Sequence, residues 1–186
     1  TRKADSEYPV HELISQRWSP VGFDDRAVSR RDLCSLFEAA RWAASSYNEQ
    51  PSRFIVATKD DAQNFENVLS CLVEANQVWA KNAPVLVLCC TNLYFERNGK
   101  ANAAAKHDLG LAVGNLSLEA TARGLSIHQM IGILPDKARQ LFDVPAKAEV
   151  VTALAIRYAA DPNMLPEPLK QRDTAPRHRK PISSSS

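Results

Sequence analysis

The run Val85-Leu86-Val87-Leu88-Cys89-Cys90, opened by Pro84, carries no charged or amide side chain at either alternation of a strand. Successive side chains of a strand point to opposite faces, so such a run reads as a strand buried on both. Both faces must then be covered, and the flanking sequence supplies helices to do it. Arg53 to Thr58 (R-F-I-V-A-T) and Glu149 to Tyr158 read as further strands, with a short extended segment from Leu125 to Gln129. Helical spacing places helices over Val10 to Trp18, Arg30 to about Ala44, Asp60 or Asp61 to about Glu74, Ala75 to Asn82, Asn102 to about Arg123, and Pro135 to about Phe142. Ser29 is the N-cap of the second helix, and Gly124 closes the longest. Strands that are few and separated by helices predict a central sheet flanked by helices rather than a sandwich.

The long helix is apolar almost all round at Leu109 to Leu116, so it is expected to be buried on several sides. Gly110 and Gly114 share one of its faces. Glycine costs about 1 kcal/mol in a helix interior. Two of them point to close backbone approach, to another helix or across a subunit interface, or to tight packing within the monomer. One domain is expected over 1–160. Prolines at 162, 166, 168, 176 and 181 make 161–186 an extended arm of the same domain, with a partner subunit as the candidate surface for it to lie on.

The 186 residues, 45% hydrophobic and 24% charged, suit one soluble globular domain. A net charge of +2 singles out neither nucleic acid nor membrane. The basic run Arg177 to Lys180 is too narrow for a nucleic-acid footprint. No segment approaches a membrane span of about 20 apolar residues, and Thr1 to Val10 lacks the apolar middle of a secretory signal. Cys34, Cys71, Cys89 and Cys90 show no C-x-x-C spacing, so no zinc site is expected and a reducing cytoplasm fits. The four histidines are scattered, and His107-Asp108 has no G-x-S-x-G nucleophile to serve. Carboxylate pairs such as Asp24-Asp25 and Asp60-Asp61 look structural, and the closing Ser183 to Ser186 is peripheral. Neither G-x-G-x-x-G after a strand nor G-x-x-x-x-G-K-[ST] occurs, so any phosphate must be held mostly by side chains.

Side chains suited to that task stand at both chain ends: Arg17-Trp18-Ser19 and Arg177-His178-Arg179-Lys180. A guanidinium fork matches phosphate oxygens bidentately. Between them, Ala44-Ser45-Ser46-Tyr47-Asn48-Glu49-Gln50-Pro51 offers small hydroxyl and amide groups just after an apolar helix, suited to a flat hydrogen-bonding ring. Each segment alone is equally readable as turn chemistry or solvated surface. Together they read as a site for a phosphorylated heterocycle, with flavin mononucleotide (FMN) the leading candidate.

The same residues resemble the FMN-dependent nitroreductase family. R-W-S-P-V-G-F at Arg17 to Phe23 is similar to the family's R-R-S-x-R-x-F, and A-S-S-Y-N-E-Q-P-S-R-F at Ala44 to Phe54 to its P-S-S-x-N-x-Q-P-W-x-F. A-P-V-L-V-L at Ala83, D-L-G-L-A at Asp108, A-x-x-x-G-L ending at Leu125, H-Q-M-I-G-I-L-P-D-K-A-R at His128 and R-H-R-K-P at Arg177 follow in the family's order. The resemblance implies an α+β fold, a mixed central sheet flanked by helices, built as an intertwined homodimer with two FMN sites at its interface. It implies that Arg17, Ser19 and the backbone around Trp18 hold the phosphate with Arg177 and Arg179. Ser45, Ser46 and Asn48 would contact the ring and ribityl chain, from the partner subunit on one reading, with Gln50 nearby. Backbone amides of Met130, Ile131 and Gly132 would face the flavin. Three positions depart from the pattern: Val21 stands where a basic residue is frequent, Ala44 for proline and Ser52 for tryptophan.

The implied activity is an FMN-dependent oxidoreductase taking hydride from NAD(P)H and reducing a nitroaromatic or quinone acceptor in ping-pong order. The cofactor carries such chemistry, and no side-chain nucleophile is required. Tyr94 and Phe95 read equally as a lid over the pocket and as loop anchors. The alternatives are a related dehydrogenase or dehalogenase, or a dimer that binds or senses FMN without turnover.

Overall fold

A computed structural model describes residues 3–22, 24 and 26–184. Phe23 of the first motif, Asp25 of the Asp24-Asp25 pair, and Thr1, Arg2, Ser185 and Ser186 lie outside these residues.

Four strands form one sheet: β1 (Ser52–Thr58), β2 (Val85–Asn92), β3 (Leu125–Met130) and β4 (Ala148–Tyr158), in the order β1-β2-β4-β3. As its run predicts, β2 lies inside the sheet and is buried nearly end to end. Side chains of Leu86, Leu88 and Cys90 join one core, those of Val85, Val87 and Cys89 the other. Burial pushes the Cys89 thiol up to about 12 and the Cys90 thiol up to about 11, so both serve as small apolar groups.

The α+β architecture is as expected, but every pairing among the described strands is antiparallel rather than mixed. The reason lies in strand insertion. The long helix returns the chain so that β2 and β3 run in the same direction, and β4 then enters between them, antiparallel to both. A register shift beside Cys89 and Cys90 bulges this central pair.

Helices α1 (Glu12–Gln16), α2 (Arg30–Arg41), α3 (Ala62–Ser70), α4 (Glu74–Ala80), α5 (Ala105–Ala122) and α6 (Pro135–Leu141) match the predicted segments, most with shorter ends. Ser29 Oγ accepts from Asp32 N at 3.0 Å, the cap read from sequence. α3 and α6 cover one face of the sheet; α2 and α5 cover the other. α5 departs from expectation. Leu109, Ala112, Val113, Leu116 and Ala120 are buried, yet Gly110, Leu111 and Gly114 are exposed. Nothing lies within 4 Å of where a Cβ would stand on either glycine, so tight packing within the chain does not account for them.

The arm beyond Ala160 is not extended throughout. It contains a 3-10 turn at Pro162–Met164 and helix α7 (Glu167–Thr174). Pro166 caps α7 and Pro168 sits in its first turn, where a missing N–H costs no helical bond. The arm lies on its own chain's N-terminal segment. Buried Asp173 accepts from Val21 N at 2.8 Å and Gly22 N at 2.9 Å. Leu165 fills the space that a side chain at Gly22 would need. Among the described residues, no helix is long and apolar enough to cross a membrane.

Candidate functional site

Arg17 follows α1 directly, in extended conformation, and Arg177 and Arg179 follow α7. The fold brings these distant segments together. Arg177 donates to Ser15 O at 2.9 Å and to Arg17 O at 2.8 Å, tying the two ends of the site. Arg17 Nη1 lies 3.4 Å from Ser19 Oγ, at the limit of a hydrogen bond. The result is a cleft of about 240 Å³ lined by Arg17, Arg172, Arg177 and Arg179 with Trp18 and Ser19 and, among the described residues, by no carboxylate. Burial and then the charge of Arg179 lower the pKa of Arg17. Two guanidiniums that repel each other in a partly dehydrated, acid-free cleft form a site whose charge an anion would balance. A second cleft, about 270 Å³, shares Arg17, Arg177 and Arg179 but includes Asp5 and is less suited to an anion.

Trp79 gathers two basic side chains of the sheet around its ring. His128 of β3 is 3.0 Å from Pro20 O and meets the Trp79 ring at a tilt of 55°, centroids 4.7 Å apart. Arg157 of β4 lies 5.6 Å from the same Trp79 ring. Burial pulls the Arg157 guanidinium down to about 9, with the Asp173 charge opposing. His128 is also lowered, by burial first, with its Pro20 contact opposing. Val21, at the position where the family pattern carries a basic residue, is buried under α7 and brings no charge.

Two residues before Gly132, Met130 ends β3 and is buried, whereas Ile131 is 86% exposed. Gly132 O accepts from Val73 N and from Asn76 Nδ2, both at 3.0 Å. A Cβ on Gly132 would come within 2.7 Å of Val73 Cγ2, so this turn is welded to the start of α4.

The Ser45–Pro51 segment is a strained turn. After Ser45, Tyr47, Asn48 and Gln50 have φ of 55°, 55° and 53°. Asparagine tolerates that region; for Tyr47 and Gln50 it costs about 1–2 kcal/mol each. Several contacts hold the turn. Ser45 Oγ accepts from Gln50 N at 3.0 Å, Asp108 Oδ2 accepts from Ser46 N at 3.0 Å, and Arg53 Nη1 donates to Gln50 O at 2.7 Å. Ser45 and Gln50 line a cavity of about 190 Å³ with Phe37, Phe54 and Asp108; Ser46 and Asn48 do not. This cavity shares no lining residue with the arginine cleft, so among the described residues neither of the two holds both halves of the expected site.

The loop after β2 adjoins the turn rather than the arginines. Tyr94 bridges Ala101, and the Phe95 ring meets Tyr47 edge-on at 5.8 Å. Arg97 lies 4.3 Å from the Tyr47 ring and 5.2 Å from Phe95, and Glu49 accepts from Glu96 N at 2.6 Å. Loop anchoring is therefore visible for Phe95.

Sequence reading missed Arg172, Asp173, Asp108 and Arg97. The first two lie in a segment whose prolines read as extended; Asp108 reads in sequence only as half of an unsupported triad. An acidic first-turn residue at the head of an otherwise apolar helix was the available signal for Asp108.

A model of the Nitroreductase family matches residues 14–158, which include the whole sheet, the strained turn and Arg17. The Major NAD(P)H-flavin oxidoreductase of Aliivibrio fischeri is 31% identical, over 81% of this chain and 88% of its own length. A crystal structure described as an oxidoreductase containing FMN superposes with a TM-score of 0.91 at 33% identity, covering 100% of this chain and 94% of that one. A nitroreductase family protein from Clostridium difficile 630 shares the fold, with a TM-score of 0.72 at 24% identity over 94% of this chain and 95% of its own. With the family model spanning residues 14–158, most of the chain, the protein belongs to the nitroreductase family.

Proposed function

We propose that this chain is an FMN-dependent NAD(P)H oxidoreductase acting as a homodimer. The observation that carries the reading is the four-arginine, carboxylate-free cleft, in which Arg17 and Arg179 repel each other. A phosphate dianion fits that donor set. Arg17, Ser19, the Trp18 backbone and Arg179 would hold it, with Arg172 adding charge and Arg177 fixing the two segments.

The Ser45–Gln50 turn would meet the ring of a flavin held by a second copy's arginines. Support comes from the separation of turn and cleft within one chain, and from the open Gly110/Gly114 face of α5, which suits close approach of a second copy. Ser45, Ser46, Asn48 and Gln50 would contact the ring and ribityl chain, and the Met130–Gly132 turn would present amides to it. The 161–186 arm belongs to the same domain, and its exposed side would lie along the partner. Bound FMN supplies hydride acceptance and donation, with NAD(P)H and then a nitroaromatic or quinone acceptor occupying one place in turn. The protein binds, orients and excludes water. Tyr94 and Phe95 would border that place. A cytoplasmic location fits the four free thiols.

The test is direct. Purified protein should release about one FMN per chain, and both NADH and NADPH should be tried in stopped flow. Bleaching of the flavin by at least one, followed by reoxidation with a quinone, supports the reductase. Bleaching by neither removes it and leaves a flavin-binding dimer. In an Arg17→Ala, Arg179→Ala double variant FMN affinity should fall by roughly 100-fold, at about 1.4 kcal/mol for each guanidinium removed, with riboflavin affinity unchanged. Equal weakening for both ligands removes the phosphate assignment.

A further inference from the structure

We propose that Asp108 is a positioning residue for the cofactor: its carboxylate latches the strained Ser45–Gln50 turn in the shape that meets the flavin ring. The inference rests on the reading that this turn contacts the flavin, and goes beyond it in assigning what holds the turn.

Three observations converge on Asp108. It is 3% exposed, and its Oδ2 accepts the backbone N–H of Ser46 at 3.0 Å across 62 residues of chain. It stands in the first turn of α5, the longest helix, whose next buried residues Leu109, Ala112, Val113 and Leu116 are locked into the core beneath the sheet. The carboxylate is therefore fixed by packing rather than by the turn it holds, and the positive helix end favours it there. Finally, the bond enters the turn at Ser46, immediately before left-handed Tyr47 and Asn48.

Other contacts come from more movable partners. Ser45 Oγ belongs to the turn itself. The Glu49–Glu96 contact and the Arg53–Glu96 pair are exposed and reach a surface loop. Asp108 is the buried contact from a rigid element. A backbone conformation that is unfavourable by itself persists only where its surroundings over-determine it. Without Asp108 the turn should sample ordinary right-handed conformations, and the Ser45, Ser46 and Asn48 groups should lose their common aim. Pre-ordering of a binding segment raises affinity by removing its ordering cost from the binding step.

The experiment uses Asp108→Ala, Asp108→Asn, Ser46→Ala and Ser46→Pro in the full chain, each with a melting curve to establish that it folds. Asparagine retains an acceptor oxygen of the same reach. Proline at 46 deletes the donor and leaves Asp108 intact, and Ser45, at φ −145° and ψ 155°, has the backbone a following proline requires. The first readout is amide exchange in the flavin-free protein. Asp108→Ala should speed exchange at Tyr47 to Gln50 by about tenfold, and Asp108→Asn should restore most of the protection. The second is FMN affinity by fluorescence quenching: about tenfold weaker in Asp108→Ala, restored to within about threefold in Asp108→Asn, and about tenfold weaker in Ser46→Pro than in Ser46→Ala.

Unchanged exchange in Asp108→Ala overturns the latch whatever FMN does. Asparagine as weak as alanine overturns it too, because charge rather than the accepted bond would then matter. Faster exchange with unchanged FMN affinity overturns the role toward the cofactor and locates the failure in the reading of the turn, not of the latch. Should Asp108→Ala not fold, the Ser46→Pro and Ser46→Ala pair decides: equal exchange and affinity overturn the proposal.

Discussion

Replacing Asp173 by Asn changes one buried atom and tests how the two ends of the chain are joined. The carboxylate accepts two backbone N–H groups, from Val21 at 2.8 Å and Gly22 at 2.9 Å, while 2% exposed. It also offsets the charge of Arg157, itself fully buried. A hydrogen bond to a charged group contributes about 1.5–3 kcal/mol, so the two together are worth about 3–6. Removing one partner of a buried pair costs about 3–5 kcal/mol. These overlap, since one carboxylate does both, so they do not add. An asparagine keeps one acceptor but turns an N–H donor toward the other amide. We expect a loss of about 3 kcal/mol, limited by the point at which α7 detaches while the sheet stays folded. Urea denaturation followed by tryptophan fluorescence measures it, since Trp79 adjoins Arg157. FMN affinity should fall as well, because Arg172 and Arg177 flank the same helix end. An Asp173→Leu, Arg157→Met double variant should recover part of the loss, as apolar replacements of buried pairs do. A cost below about 0.5 kcal/mol for Asp173→Asn, with FMN binding intact, would refute the clamp.

Other outcomes follow from single sites. Gly114→Leu on the open face of α5 should leave the monomer folded and abolish dimers in light scattering; a dimer at the same concentration excludes that face. Gly110→Ala should stabilise the monomer by up to about 1 kcal/mol, since nothing meets the added methyl. Gly132→Ala should cost about 1–3 kcal/mol because its Cβ runs into Asn76 and Val73; an unmoved denaturation midpoint contradicts the welded turn. His128 has a lowered folded pKa, so below its unfolded value of 6.5 the unfolded chain binds more protons. Its contribution is thus present above pH 6.5 and lost as pH falls through the folded pKa. His128→Gln should flatten the fall in melting temperature between pH 6.5 and 5; parallel curves for both proteins would exclude it.

The sheet was legible because β2 must satisfy two cores at once, and its run is apolar on both alternations. The antiparallel insertion of β4 was not legible: no local residue records which gap in the sheet a strand enters. The arginine cleft could be anticipated from its residue types, since Arg17, Ser19, Arg177 and Arg179 do converge. Arg172 and Asp173 escaped because prolines read as breaking regular structure, whereas Pro166 and Pro168 start a helix. Asp108 escaped for another reason. Its partner is a backbone N–H, and backbone donors leave no mark in a sequence. The strain at Tyr47 and Gln50 is equally silent, because neither residue type announces a left-handed conformation.

The bond from Arg177 to Arg17 O joins residues 160 apart, and this bears on the order of events during synthesis. At about 5–20 residues per second, Arg17 leaves the ribosome roughly 10–30 s before Arg177 does. Throughout that interval the sheet's early strands and α5 can form, but the anion cleft lacks half its walls. On the proposed phosphate assignment, cofactor capture is deferred until translation has passed the last arginines. A ribosome stalled before them would carry a nascent chain with its core partly built and, on that assignment, only half of the phosphate site.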